Sequence, residues 1–124
     1  MEKFSGCGTI TLKTDNPDKV LELVLRYDVG NGSSRKRGYY FSIDPITIKH
    51  YDNGLVMKAY TLFSGKSFYV HGCTRKSKKA EAIACQYVNE DLAEGLYDMH
   101  FKAICKKEGF NLQDDGFVMV SAAG

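Results

Sequence analysis

Five consecutive residues, Arg75-Lys76-Ser77-Lys78-Lys79, carry four positive charges into a segment where Ala80, Ile83, Ala84, Tyr87, Val88 and Leu92 recur every three or four positions. That period predicts a helix running from about Thr74. A helix N-terminus already concentrates positive potential, so each cation there is unfavourable by roughly 0.3 to 1 kcal/mol at low salt. A bound anion reverses that sign, because unpaired helix amides and lysine ammonium groups pointing one way form a phosphate site. A local rule broken in this manner marks a candidate site. The plainer alternative is that the long side chains splay into solvent.

A second cationic run, Arg35-Lys36-Arg37, lies in the stretch from Gly30 to Gly38, which has loop composition and no apolar period. Tyr39 and Tyr40 follow it directly. Aromatic rings beside cations can stack unpaired bases, although rings that open a strand also serve core and edge packing. The candidate binding residues are therefore Arg75, Lys76, Lys78, Lys79, Arg35, Lys36, Arg37 and Tyr39.

Other chemistries find little support. Gly65-Lys66-Ser67 resembles the end of a phosphate-binding P-loop, but Tyr60 stands where the earlier glycine is required and a strand signal follows. His50, His71 and His100 fall on separate elements, with no spacing that holds a metal or orients a nucleophile. Cys7, Cys73, Cys85 and Cys105 form no Cys-x-x-Cys pair, so zinc and a disulfide framework are not expected and free, mostly buried thiols are. Glu90, Asp91, Glu94 and Asp98 read as a solvated acidic face. No catalytic residue, metal or cofactor is expected, and an enzyme has the least support.

The elements that must position the basic runs are those of one domain spanning residues 1–124. Its length suits a single core, and 44% hydrophobic with 26% charged residues is ordinary globular composition. Net charge is only +2, so electrostatic binding depends on where the charge sits. No apolar run approaches the ~20 residues of a membrane span and no signal-peptide pattern opens the chain, which implies a cytoplasmic protein with no membrane partner.

Residues 8–13 alternate as a half-buried strand. Asn16-Pro17-Asp18 supplies an N-cap, a first-turn proline and a first-turn acid, and with Val20, Leu21, Leu23, Val24 and Leu25 it predicts a helix ending near Asp28. Residues 39–43 form a strand ended by Asp44-Pro45. Residues 46–50 and 55–62 pair across Asp52-Asn53-Gly54, with Asn53-Gly54 the central residues of a tight turn. Ser64-Gly65-Lys66 turns into a further strand over 67–71. Gly95 breaks the long helix, a second helical stretch reaches about Lys107, and residues 116–120 could add a last strand. The expected class is α+β, an antiparallel meander packed against helices, with a ferredoxin-like arrangement as the alternative.

The stretch from Gly65 to Cys85 resembles the C-terminal half of a double-stranded RNA-binding domain. The strand turn at Gly65, the basic helix start at residues 75–79, the Ala80-Glu81 step and the small pair Ala84-Cys85 carry the likeness. The family's order of helix, three-stranded meander and helix fits the elements predicted over residues 16–92. Its Gly-Pro-x-His loop has no counterpart, and His50-Tyr51-Asp52-Asn53-Gly54 stands there instead. The resemblance implies non-enzymatic binding of duplex RNA, with Lys78, Lys79 and then Lys76 on phosphates. Duplex RNA is recognised mainly by shape and backbone, without a base-reading code. The rival expectation is a small inhibitor-type interaction module whose basic patch docks on an acidic protein surface.

Overall fold

The computed structural model describes residues 2–31, 35–60 and 65–113. In chain order the elements are β1 (Gly8–Lys13), β2 (Lys19–Asp28), β3 (Gly38–His50), β4 (Val56–Tyr60), β5 (Lys66–Tyr69), α1 (Lys78–Ala93) and α2 (Asp98–Glu108). The sheet is antiparallel throughout: β1 to β4 form a meander, and β5 also pairs with β3. The class is α+β, with the sheet packed against two helices. Among the described residues both helices follow the five strands, so the alternation of a ferredoxin-like fold is not formed there.

The core lies between one sheet face and the helices. Ile10 of β1, Leu21, Leu23 and Leu25 of β2, and Tyr39, Phe41 and Ile43 of β3 meet Ala84, Val88 and Leu92 of α1 and Phe101 and Ile104 of α2. Each large apolar side chain so buried contributes about 1.5–3 kcal/mol.

The helix expected over residues 16–28 is strand β2. Asn16-Pro17 makes a turn instead of a cap: the Asn16 side chain accepts from the Asp18 N–H at 2.9 Å, and the Lys19 N–H closes on the Asn16 carbonyl at 3.0 Å. An Asx residue before proline serves both purposes, and here it joins the antiparallel strands β1 and β2. Leu21, Leu23 and Leu25 point inward at 0–1% exposure, a period of two that the additional Val20 and Val24 disguised as a helical stripe. All ten residues of β2 pair with β3, from Lys19 opposite Thr47 to Asp28 opposite Gly38. The helix-first order of the double-stranded RNA-binding family is therefore not present over this segment.

Pro45 does not end a strand either. β3 runs through it, and β2 stays in register on that side, with Glu22 opposite Asp44 and Leu21 opposite Pro45. The opposite edge is divided: β4 reaches Ile46 at Tyr60, and β5 resumes at Ile43 with Lys66. Ser64 of the expected turn lies outside the described residues, as does the strand expected over 116–120. α1 begins at Lys78 and not at Thr74, because Ser77 caps it, its Oγ accepting from the Ala80 N–H at 3.0 Å.

The β3–β4 connection is a three-residue loop and not a two-residue turn. The Tyr51 N–H donates to the Leu55 carbonyl and the Gly54 N–H to the Tyr51 carbonyl, each at 2.9 Å. Gly54 carries the left-handed conformation, φ 85°, and nothing lies within 4 Å of the Cβ it lacks. Replacing Gly54 by Val should thus lower stability by roughly 1 kcal/mol or more through the backbone alone, and Gly54→Asn should cost less because Asn tolerates that conformation. Chemical denaturation of the two variants checks this; equal midpoints for Val, Asn and wild type would refute the loop geometry.

Candidate nucleic-acid interface

Tyr39 ties the two basic segments to one end of the sheet. Its N–H donates to the Cys73 carbonyl at 3.0 Å, its carbonyl accepts from the Val70 N–H at 2.9 Å, and its hydroxyl donates to the Ser77 carbonyl at 3.2 Å. Tyr27, at the end of β2, donates its hydroxyl to the Thr74 carbonyl at 3.0 Å. Gly38 makes the close approach possible, since a Cβ there would lie 2.8 Å from the Cys73 carbonyl oxygen and 2.6 Å from Cε1 of the Tyr69 ring. The chain from Val70 to Ser77 is thereby laid across the start of β3, and Arg75 and Lys76 come to the sheet end that Arg35, Lys36 and Arg37 enter.

Aromatic rings seat several of these cations. Lys76 Nζ stands 5.9 Å from the Tyr27 ring centre, Lys36 Nζ 5.5 Å from Tyr69, and the Arg35 and Arg26 guanidinium groups 5.2 and 5.7 Å from Tyr40. The rings touch in turn, Tyr27 with Tyr39 and Tyr40 with Tyr69. Such contacts hold a cation at roughly 0.5–1 kcal/mol without neutralising it. Arg35 also pairs with Asp28 at 3.0 Å. Hydrogen bonding from the Gly30 N–H, and then from Arg35, holds the Asp28 carboxyl below its usual range. Among the described residues, Lys36, Arg37, Arg75, Lys76, Lys78 and Lys79 have no carboxylate at ion-pair distance.

Two expectations need correction. Tyr39 is 1% exposed and its hydroxyl is engaged, so it positions the site and cannot stack a base. Tyr40, 8% exposed, lies under two guanidinium groups and donates to the Lys36 carbonyl. Of the four cations assigned to the first turn, only Lys78 and Lys79 are within α1, where Glu81 joins them. With the Ala80 N–H taken by Ser77, the amides of Ser77, Lys78 and Lys79 are those left without an intrahelical partner at this terminus.

The acidic run divides as well. Glu90 and Glu94 are exposed, whereas Asp91 and Asp98 are half-buried, and burial raises both of those carboxyl pKa values. The Tyr97 hydroxyl is pushed up to about 12, first by burial and then by the neighbouring Asp91 carboxylate. Sequence reasoning missed this pair because the turn at Gly95 creates it; the Leu96 N–H folds back to the Asp91 carbonyl at 3.0 Å. The histidines stay apart, His50 beside Asp18 at 3.2 Å and His100 against the edge of Phe68. Among the described residues no three His, Cys, Asp or Glu side chains converge as metal ligands, and no helix is long and apolar enough to cross a membrane.

No protein-family model matches this chain, and neither a curated protein nor a solved structure matches it.

All four cysteines are free: Cys73 and Cys85 buried, Cys105 half-buried and Cys7 exposed. Cys7 is nonetheless a poor nucleophile, its thiol pushed up to about 11 by desolvation, then by its hydrogen bond to Glu81 and that carboxylate's charge. Glu81→Gln should lower the Cys7 pKa and speed its alkylation in mildly alkaline solution, as followed by peptide mass mapping. An unchanged rate would show that Glu81 does not hold the thiol.

Proposed function

We propose that this protein binds nucleic acid without catalysing a reaction, through phosphate contacts at the cationic sheet end, and that duplex RNA is the backbone it takes. One observation carries the reading: six cations from two distant segments converge on one end of the sheet, held there by Tyr39 and Gly38 and left without carboxylate partners among the described residues. A chain of net charge +2 that concentrates positive charge so unevenly is suited to a polyanion. Duplex RNA rests on the likeness of residues 65–85 to the second half of a double-stranded RNA-binding domain. The strand in place of that family's first helix leaves the sheet end as the contact region. A cytoplasmic location, where thiols stay reduced, belongs to the same reading.

The triple variant Lys76→Glu, Lys78→Glu, Lys79→Glu separates binding from folding. It should stay folded and gain stability at low salt, because acids near a helix N-terminus are each favourable by roughly 0.3–1 kcal/mol. Its affinity for RNA should collapse. For the wild type, the logarithm of affinity should fall linearly with the logarithm of salt concentration, and removing one phosphate contact should flatten the slope by somewhat less than ~1. Titration of duplex RNA and duplex DNA of equal length at several salt concentrations reads all of this. No binding to either duplex at low salt refutes the proposal, and equal binding keeps the electrostatic part while removing the preference for RNA.

A protein-docking reading has an observation of its own. Tyr51, Leu55, Val56, Met57 and Tyr60 are each about half exposed or more, clustered on the hairpin arm whose outer strand, β4, pairs only with β3 among the described residues. A free apolar edge invites strand addition. A second copy of the chain, paired edge to edge, is its simplest occupant. Concentration-dependent sedimentation abolished by Val56→Lys would support it, and a monomer at all concentrations would refute it.

A further inference from the structure

On the sheet face away from the helices, Glu22 of β2 stands directly opposite Asp44 of β3, so two acids share one cross-strand position. Both charged, they repel. Glu22 is 3% exposed and its charge is engaged, because Lys58 of β4 donates to its Oε2 at 2.8 Å and the Tyr60 hydroxyl lies 3.5 Å from its Oε1. Asp44 has no such support. Among the described residues no cation stands at ion-pair distance from its carboxyl; Arg26 donates instead to Ser42 and rests 5.7 Å from the Tyr40 ring centre. Lys66 of β5 pairs with Ile43 and so belongs to the helix side of the sheet. Gly65, immediately ahead of β5, closes over the acid: a Cβ there would collide with Asp44 Oδ1 and lie 3.1 Å from the Ile43 carbonyl oxygen. That cover excludes the water an ionised carboxylate needs.

From this placement we propose that Asp44 and Glu22 form a proton-operated latch at the break between β4 and β5: one proton shared by the two carboxyls keeps Gly65 seated on β3, and its loss releases the outer edge there. A neutral Asp44 is a hydrogen-bond donor, and the Glu22 carboxylate opposite keeps acceptor capacity beyond Lys58. Two carboxyls at one site hold such a proton strongly. Once it leaves, like charges face each other with Lys58 already committed to Glu22, and Asp44 reaches water only if Gly65 lifts. Desolvation raises the Asp44 pKa, against the pull of Arg26 and with the push of Glu22. A carboxyl whose pKa is higher in the closed form than in the open one stabilises the closed form at low pH, and that contribution is lost as pH rises from the ordinary aspartate range through the raised value. The latch is therefore shut below that value and released above it. Paired carboxyls also suit acid-base catalysis, but Glu22 is too deeply covered to meet a substrate.

Amide hydrogen exchange of the full chain between about pH 4 and pH 8, corrected for the intrinsic pH dependence of exchange, reads the latch. The opening constant at the junction, from Lys58 to Tyr60 and from Lys66 to Phe68, should rise with pH by about ten-fold for each unit that separates the closed and open Asp44 pKa values. Amides of Val88 and Leu92 in α1 should not follow that rise. Asp44→Asn supplies a donor that does not titrate, so its junction should stay closed at pH 8 and lose the pH dependence. Equal wild-type opening constants across the range, or a pH dependence that persists in Asp44→Asn, overturns the proposal. Should that variant fail to fold, the carboxyl carbon of Asp44 in the wild type, titrated by NMR, decides: a midpoint above the ordinary aspartate range supports the latch, and one within or below it overturns it. No nucleic acid enters either measurement, so the outcome is separate from that of the phosphate reading.

Discussion

An amide hydrogen is missing from the middle of this sheet. Pro45 lies buried in β3, the strand to which β2, β4 and β5 all pair, and it can donate to neither neighbour. β2 tolerates the loss because its ladder continues on both sides of Pro45. The other edge yields instead: β4 pairs with β3 only as far as Ile46 and β5 only from Ile43, so Asp44 and Pro45 have no ladder partner on that side among the described residues. The outer strand is thus delivered in two pieces, and the second is aligned on Tyr40 to Ile43. That alignment takes the chain to Val70 and Cys73 beside Tyr39, and so places the start of α1 at the sheet end.

Charge on the face away from the helices is treated differently from charge at that end. Glu22 is almost fully buried, yet Lys58 Nζ donates to it at 2.8 Å, and this hydrogen bond, followed by the charge itself, raises the Lys58 pKa. Arg26 donates to Ser42. Asp44, opposite Glu22, is half-buried, with its carboxyl pKa raised by desolvation in spite of Arg26. Those charges are used up within the sheet. The lysines and arginines around Tyr27, Gly38 and Tyr69 rest on aromatic faces, which orient a cation but leave its field open to solvent.

Legibility in the sequence followed how local each signal was. β1 spans the same residues as its alternation, and the period of Ala84, Val88 and Leu92 marked the buried face of α1 correctly. β2 was misread because Leu21, Leu23 and Leu25 with Val20 and Val24 satisfy both periods, and an Asx-Pro pair opens helices and turns alike. Only the pairing with β3, from Asp28 opposite Gly38 to Lys19 opposite Thr47, decides between them. The basic runs were visible as charge, but their meeting depends on Gly38 and on hydrogen bonds to Cys73 and Ser77, which no spacing encodes. Tyr39 was read as a contact residue when burial makes it a support. The Asp91–Tyr97 pair arises from a turn between helices and left no mark in any periodicity.

The divided outer edge also partitions the molecule energetically. Beyond Ile46, the arm formed by the end of β3, its loop and β4 contributes no residue to the hydrophobic cluster, and it is joined to the rest by polar links: the Lys19–Thr47 pairing, the Ile48 N–H bond to the Asp18 carbonyl, the His50–Asp18 pair, and the Lys58 and Tyr60 side chains on Glu22. Opening it exposes little apolar surface, so its amides should exchange with solvent through a local fluctuation far cheaper than global unfolding. The sheet end, held by the Tyr39 hydrogen bonds to Cys73, Val70 and Ser77, should exchange only with the core. The same 13-residue strand is therefore a compliant lever at one end and an anchored post at the other.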